Sequence, residues 1–248
     1  MLTSSIDING IDLKYGSLME FDNRLNFFKA FSSESQDLAH YNEMKSFLKH
    51  IENKNTFFDV GSSYGIFSLI FSLKNKNAKT YSFDGATSVY LAINQTMMIN
   101  NLENMKHFKT MIGDQDCYAS VFQEKHQSLL ANNTTGTLEI MLTLDTFSEL
   151  YQVAPDCIKV DVEGAEYKVL QGASNVIDKH RPTLFLEVHP KFLKIFHNHS
   201  IYDVINFFEK YEYFAFDNFG NKIEDYKKYL EQETTDSNRT VWVPRETI

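Results

Sequence analysis

From Thr56 onward the chain repeats one pattern. A short, almost wholly apolar run is followed by a polar or glycine break, then by a longer stretch whose apolar residues return every three or four positions. Runs of the first kind are Thr56–Val60, 80–83, 107–112, 157–162 and Thr183–Val188, and they read as strands buried on both faces. Stretches of the second kind, 65–73, 88–100, 165–172 and Ile201–Lys210, read as helices, with Gly172 placed where a helix stops. Residues 138–142 alternate like a strand, and Thr143 then caps a short helix. Residues 213–216 and 240–243, with a turn at Asn218-Phe219-Gly220-Asn221 after the first, suggest a closing antiparallel pair. Residues 1–50 carry apolar stripes at helical spacing (Phe27, Phe28, Phe31, Met44, Phe47, Leu48) and read as an N-terminal helical cap over the sheet. Residues 115–133 are polar and poorly periodic, which suggests a mobile loop or lid. No repeat or linker interrupts the pattern, so a cap (1–50) precedes one domain (51–248). Strands alternating with helices make this an α/β fold, a mostly parallel sheet with helices on both faces.

Ligands of such sheets bind at the carboxyl ends of the strands. Asp59, Asp84, Asp114, Asp161 and Glu187 all fall at predicted strand ends, so one edge collects them. Asp59 is followed by the turn Gly61-Ser62-Ser63-Tyr64-Gly65, and enough chain separates Gly61 from Asp84 for one helix between two parallel strands. A nucleotide-binding βαβ unit has this layout, with the second acid on ribose hydroxyls. The spacing is G-x-x-x-G, without the middle glycine that lets a backbone approach a pyrophosphate, which argues against NAD or FAD. S-adenosylmethionine (SAM) has ribose and adenine but no phosphate. Its zwitterionic end needs an acid for the ammonium and backbone N–H groups for the carboxylate. Asp59 and the loop Gly61, Ser62, Ser63, Tyr64, Gly65 can supply both, and Asp84 the ribose contact. An ordinary βα turn is the alternative for the glycines alone.

The block Asp161-Val162-Glu163-Gly164-Ala165-Glu166 ends the next central strand, where an open sheet presents a reactive group. Glu166 in a first helical turn is accounted for by the helix dipole; Asp161 reads as functional. Glu187 and His189 alternate with apolar residues at the end of the following strand. A carboxylate and an imidazole beside Asp161 suit general-base work, since histidine titrates near neutrality. The alternative for His189 is a hydrogen-bonded histidine at a strand end, and a surface turn explains His197 and His199. Asp161, Glu163 and Glu187 are also candidates to hold Mg²⁺, but no dedicated ligand loop is visible and no metal is assigned.

Composition narrows the partners. The 248 residues are 43% hydrophobic and carry a formal net charge of −9. Its basic stretches, 74–79 and 222–228, are interrupted by asparagine and acids, so nucleic acid is not expected as a partner. The start of the chain lacks a signal-peptide pattern, and the apolar run 66–73 is shorter than the roughly 20 residues that span a bilayer. Cys117 and Cys157 are far apart in sequence and read as buried free thiols. A cytoplasmic protein acting on a small molecule, with no membrane contact, fits these features.

Phe58-Asp59-Val60-Gly61, the strand ending Phe83-Asp84, Thr143-Leu144-Asp145, Lys159-Val160-Asp161-Val162-Glu163-Gly164-Ala165-Glu166, Leu170-Gln171-Gly172-Ala173, and Arg181-Pro182 with Leu186-Glu187 together resemble the FkbM family of SAM-dependent methyltransferases. The resemblance spans about residues 55–190. It implies a class I (Rossmann-like) methyltransferase fold with a seven-stranded sheet, SAM as cofactor, and methylation of oxygen on sugars or secondary metabolites. It places Asp59, Gly61 and Gly65 at the methionine end of SAM and Asp84 at the ribose. Relatives usually have Glu-Pro where this chain has Asp84-Gly85, and Ala-Asn-x where it has Ser62-Ser63-Tyr64. The expectation is an O-methyltransferase acting on a hydroxyl of a sugar or sugar-bearing small molecule, with Asp161, Glu187 and His189 as catalytic candidates and Asp114 as a further cofactor contact. N-methylation and a non-catalytic SAM-binding module are the alternatives.

Overall fold

The computed structural model describes residues 4–17, 24–124, 127–130, 137–232 and 238–247. The chain opens with a hairpin, β1 (Ser4–Ile8) and β2 (Ile11–Tyr15), paired antiparallel. This corrects the all-helical reading of residues 1–50. Asn9 and Gly10 both have positive φ, 51° and 84°, as a two-residue hairpin turn requires. Ile8, Leu13 and Tyr15 are buried and tie the hairpin to the core. Helices α1 (Arg24–Ala30) and α2 (Leu38–His50) follow. Asp37 caps α2, its Oδ1 accepting from the amides of Ala39 and His40. Phe47 of α2 places its ring 4.9–5.3 Å from the rings of Phe57, Phe67 and Phe185, laying this helix on the sheet.

The central elements are β3 (Thr56–Val60), α3 (Ile66–Lys74), β4 (Lys79–Phe83), α4 (Thr87–Ile99) and β5 (Met105–Phe108). A separate small sheet follows: β6 (Met111–Ile112), β7 (Cys117–Glu124), β8 (Gln127–Leu130) and β9 (Thr137–Leu142), in the order β6-β9-β7-β8. Two expectations change here. The run 107–112 is divided between two sheets. The segment 115–133, read as a loop, is mostly strand, with 125–126 and 131–133 outside the described residues. Its inward positions include Ala119 and Val121, while Tyr118 faces solvent, so the alternation has its apolar bulk on the outside.

The second half contains α5 (Leu144–Tyr151), β10 (Cys157–Val160), α6 (Glu166–Gln171), α7 (Ser174–His180), β11 (Thr183–Val188), α8 (Pro190–His197), α9 (Ile201–Lys210), β12 (Tyr213–Asp217), β13 (Lys222–Ile223), α10 (Tyr226–Gln232) and β14 (Asn238–Pro244). The main sheet has the order β13-β12-β14-β11-β10-β3-β4-β5. Strands β5, β4, β3, β10 and β11 are parallel; β14 runs antiparallel to β11 and β12. The sheet thus has eight strands rather than seven, the eighth being the two-residue edge strand β13. One core lies between the sheet and α2, α3 and α4, the other beneath α5, α6, α7 and α9, where Phe208 and Trp242 stack at 4.0 Å.

Gly172 ends α6, but with φ −75° rather than a left-handed turn. Glycine is needed there because a Cβ would lie 1.9 Å from the carbonyl oxygen of Gly113. Gly172→Ala is therefore expected to lower stability by about 1–3 kcal/mol in denaturant unfolding, as overpacking does. Gly172→Asn, which a left-handed cap would tolerate, should fare no better; a stable Asn variant would refute the close-approach reading.

Candidate active site

The cleft is built on the turn after β3. Gly61 has φ +75°, and a Cβ there would stand 1.8 Å from the carbonyl oxygen of Asp161, so only glycine lets β3 and β10 end side by side. The amides of Gly61 and Ser62 both donate to the Phe83 carbonyl at 3.0 Å, Gly65 N donates to Ser62 O, and Ser63 N donates to Asp84 Oδ2 at 2.8 Å. The loop thus spends the N–H groups of Gly61, Ser62 and Ser63 on the end of β4 and Asp84 after it, and that of Gly65 on its own turn. This corrects the expectation that the Gly61–Gly65 amides as a set are available to a ligand carboxylate. Ser62 Oγ is likewise turned inward, accepting from Ser82 Oγ, which also bonds His107 Nδ1.

Asp84 is held at the rim from both sides: Ala86 N donates to its other oxygen at 2.8 Å. Burial pushes its carboxyl up to about 7, against the pull of those two amides. Across the opening stand Asp161, Val162 and Glu163. The cleft between them encloses about 880 Å³, counting its open mouth, and is also lined by Tyr64, Gly85, Thr110, Met111, Ile112 and, from α1, Phe27. Gly61, Ser63, Tyr64, Asp84 and Asp161 thus line one cleft; Ser62 and Gly65 shape the loop without lining it.

Two expected cofactor acids lie elsewhere. Asp59 is 1% exposed beneath α3, where its Oδ2 accepts from Ser68 N and Ser68 Oγ (2.6 Å) and so anchors the start of that helix. Burial raises its carboxyl to about 6, with Lys159 and Ser68 opposing. Asp114 is 3.6 Å from Lys168 Nζ, and the cleft wall on that side comes from 110–112 instead. No simple alternation marks Thr110 or Met111 as wall residues, because the chain there is changing sheets.

Behind Asp161 lies a buried charged chain that sequence reasoning missed. Lys159, 3% exposed, places Nζ 3.1 Å from Asp161 Oδ2, 3.7 Å from Glu43 Oε1 and over the Phe67 ring. Burial alone would lower this ammonium, but Asp161, Glu43, Glu187 and Asp59 reverse the sign and keep it charged. Arg239 of β14, register partner of Glu187, reaches Glu187 Oε1 at 2.9 Å and Glu43 Oε2 at 3.1 Å. Burial raises Glu43 to about 7, Lys159 and Arg239 opposing. Helix α2 therefore contributes an acid to the back of the site. The only hint in the sequence was a lysine inside an apolar strand.

Glu187 and His189 are 7% and 6% exposed and lie beside Asp161 without lining the cleft. His189 Nδ1 is 2.8 Å from Glu166 Oε1; its Nε2 faces Glu163 and Glu187 at 3.5 and 3.9 Å. Burial would lower this imidazole, yet Glu166, Asp161 and Glu163 lift it to about 9. In this charge setting it is protonated at neutral pH, which corrects its expected part as a proton acceptor. Glu166, read as a dipole residue, is fully buried as the partner that orients His189.

Five contiguous parallel strands, an antiparallel strand beyond them and a cleft at their carboxyl ends define a class I methyltransferase fold. The model of the methyltransferase FkbM domain matches residues 59–215, and the chain belongs to that family. No curated protein matches the chain. Among solved structures, the methyltransferase FkbM from Methylobacillus flagellatus KT is 14% identical, with a TM-score of 0.51 over 76% of this chain and 43% of that one. An rRNA methylase from Streptococcus thermophilus is 8% identical, with a TM-score of 0.49 over 83% of this chain and 95% of that one. The chain thus spans less than half the length of the first of these. Among the described residues no helix is long and apolar enough to cross a membrane.

Proposed function

We propose that this chain transfers a methyl group from SAM to a hydroxyl of a sugar or sugar-bearing small molecule. The observation that carries the reading is the pairing of Asp84 and Asp161 across one cleft. Asp84 is fixed by two backbone amides at the end of the second central strand, which supports its proposed part as acceptor for two ribose hydroxyls. The donor set fits the cofactor: a rim carboxylate for ribose, and apolar Met111, Ile112 and Phe83 for an adenine face. Bound SAM would supply a methyl group on a positively charged sulfur. With Asp59 withdrawn beneath α3, Asp161 and Glu163 are left to meet the cofactor's ammonium and the acceptor. Asp161, tethered to Lys159, orients the acceptor hydroxyl and takes up its proton; a positioned base contributes about 10²–10⁴-fold. Thr110, Met111 and Ile112 line one side of the cleft, and the acceptor is proposed to lie between them and Glu163.

A net charge of −9 and the acids at the mouth disfavour a polyanionic acceptor and suit hydroxyl donors. Labelled methyl transfer screened against sugars, glycolipid extracts, small amines and RNA is expected to mark hydroxyl-bearing carbohydrate. Preferential labelling of RNA or amine nitrogen would refute the acceptor class while leaving the cofactor site standing.

A further inference from the structure

The geometry points to a divalent-cation site of mixed oxygen and nitrogen ligands where β10 and β11 end, formed by Asp161, Glu187 and His189. One ligand atom from each lies within 4.8 Å of the other two. Ligand atoms about 2.1 Å from a common ion stand about 3 Å apart when adjacent and about 4.2 Å apart when opposite. The three atoms would therefore draw together by side-chain rotation to seat an ion. The imidazole Nε2 remains 3.5 Å from Glu163 Oε2 and 3.9 Å from Glu187 Oε1, long for N–H···O bonds and suited to an ion between.

An independent observation lies behind the imidazole. Glu166 is 0% exposed, and its Oε1 holds His189 Nδ1 at 2.8 Å while accepting from Gly164 N. A carboxylate on one ring nitrogen is the arrangement that aims the other at a metal. The second oxygen of Glu166 is buried with no hydrogen-bond partner, so this carboxylate depends on positive charge at the ring for its compensation. The local charge agrees. Glu43, Asp161, Glu163, Glu166 and Glu187 face the cations Lys159, Arg239 and the imidazolium of His189, whose Nε2 proton a bound ion would displace. Lys159 and Arg239 hold Asp161 Oδ2 and Glu187 Oε1 and so fix both carboxylates in place.

One imidazole among carboxylates favours Mn²⁺ over Mg²⁺, which prefers oxygen alone. Because Asp161 also lines the cleft, the ion would stand beside the acceptor oxygen; that role rests on the methyl-transfer reading, whereas binding itself does not. The test is titration of Mn²⁺, then Mg²⁺, into the metal-free full chain, followed by the loss of the free Mn²⁺ electron-spin signal and by calorimetry. One saturable Mn²⁺ site is expected, at least tenfold tighter than Mg²⁺. His189→Gln and Glu187→Gln should each weaken it at least tenfold, and Glu166→Gln by about tenfold through loss of the orienting charge. Circular dichroism and SAM calorimetry report whether each variant is folded. Absence of saturable Mn²⁺ binding in the unmodified protein would overturn the proposal, as would Mn²⁺ binding unchanged in a folded His189→Gln or Glu187→Gln chain. Failure of SAM to bind would instead overturn the methyl-transfer reading.

Discussion

Asp84→Ala is expected to weaken SAM binding by about 10²–10⁴-fold while the chain stays folded. Each ribose hydroxyl that loses a charged acceptor forfeits about 1.5–3 kcal/mol, and two are at stake. The variant also frees the amides of Ser63 and Ala86, but the carboxylate they bond lines the open cleft, so water can take its place. A pH signature accompanies the loss. Burial raises Asp84 to about 7, so below that value the group is largely protonated and a poor acceptor. SAM affinity of the unmodified protein should climb between about pH 6 and 8, and the climb should vanish in Asp84→Asn. Stability of the unliganded chain has the opposite sign. A carboxyl with a raised folded value contributes stability at low pH that is lost as pH rises through about 7. Calorimetry across pH measures the first effect, and unfolding of protein and Asp84→Asn side by side measures the second. Unchanged affinity in folded Asp84→Ala would remove this residue from the cofactor site.

What the sequence revealed and what it concealed have physical reasons. Strands β3 and β11 and helix α9 begin and end where the hydrophobic pattern places them, because each is buried along its whole length or carries a clean apolar face. The acids at the strand ends were legible for the same reason: once strands are placed, a parallel sheet puts its carboxyl ends on one edge. Hairpin β1–β2 went unread although Asn9-Gly10 is a strong turn signal, because the long helical stripe after it set the period for the whole segment. The engagement of the loop amides with Phe83 O and Asp84 was not legible at all, since hydrogen bonding between strands leaves no periodic trace. The same holds for Lys159. Its partner Glu43, and the Arg239 that pairs with Glu43 in turn, are brought together by tertiary packing from opposite ends of the chain, and only the presence of Lys159 in an otherwise apolar strand hinted that it was paired.

That chain of charges shapes what Asp161→Asn will do. The substitution keeps the size of the side chain and removes the charge that faces both the cleft and Lys159. If Asp161 orients the acceptor and takes its proton, turnover should fall at least tenfold, and as much as about 10²–10⁴-fold if proton uptake limits the rate. SAM affinity should fall far less than in Asp84→Ala, because the ribose acid is untouched and Glu163 still faces the cofactor's ammonium. Stability should fall only modestly, because Lys159 keeps Glu43 at 3.7 Å and the face of Phe67, so its ammonium is not left alone in the core. Glu43→Gln offers the contrast: it weakens the hold on Lys159 from behind without altering any group that lines the cleft, and should cost stability more than turnover. Comparing kcat per folded molecule with melting temperature for the two variants separates the roles. If Asp161→Asn unfolds readily but turns over normally when folded, the carboxylate serves the buried ion chain. If turnover collapses in a folded protein that still binds SAM, it serves the acceptor.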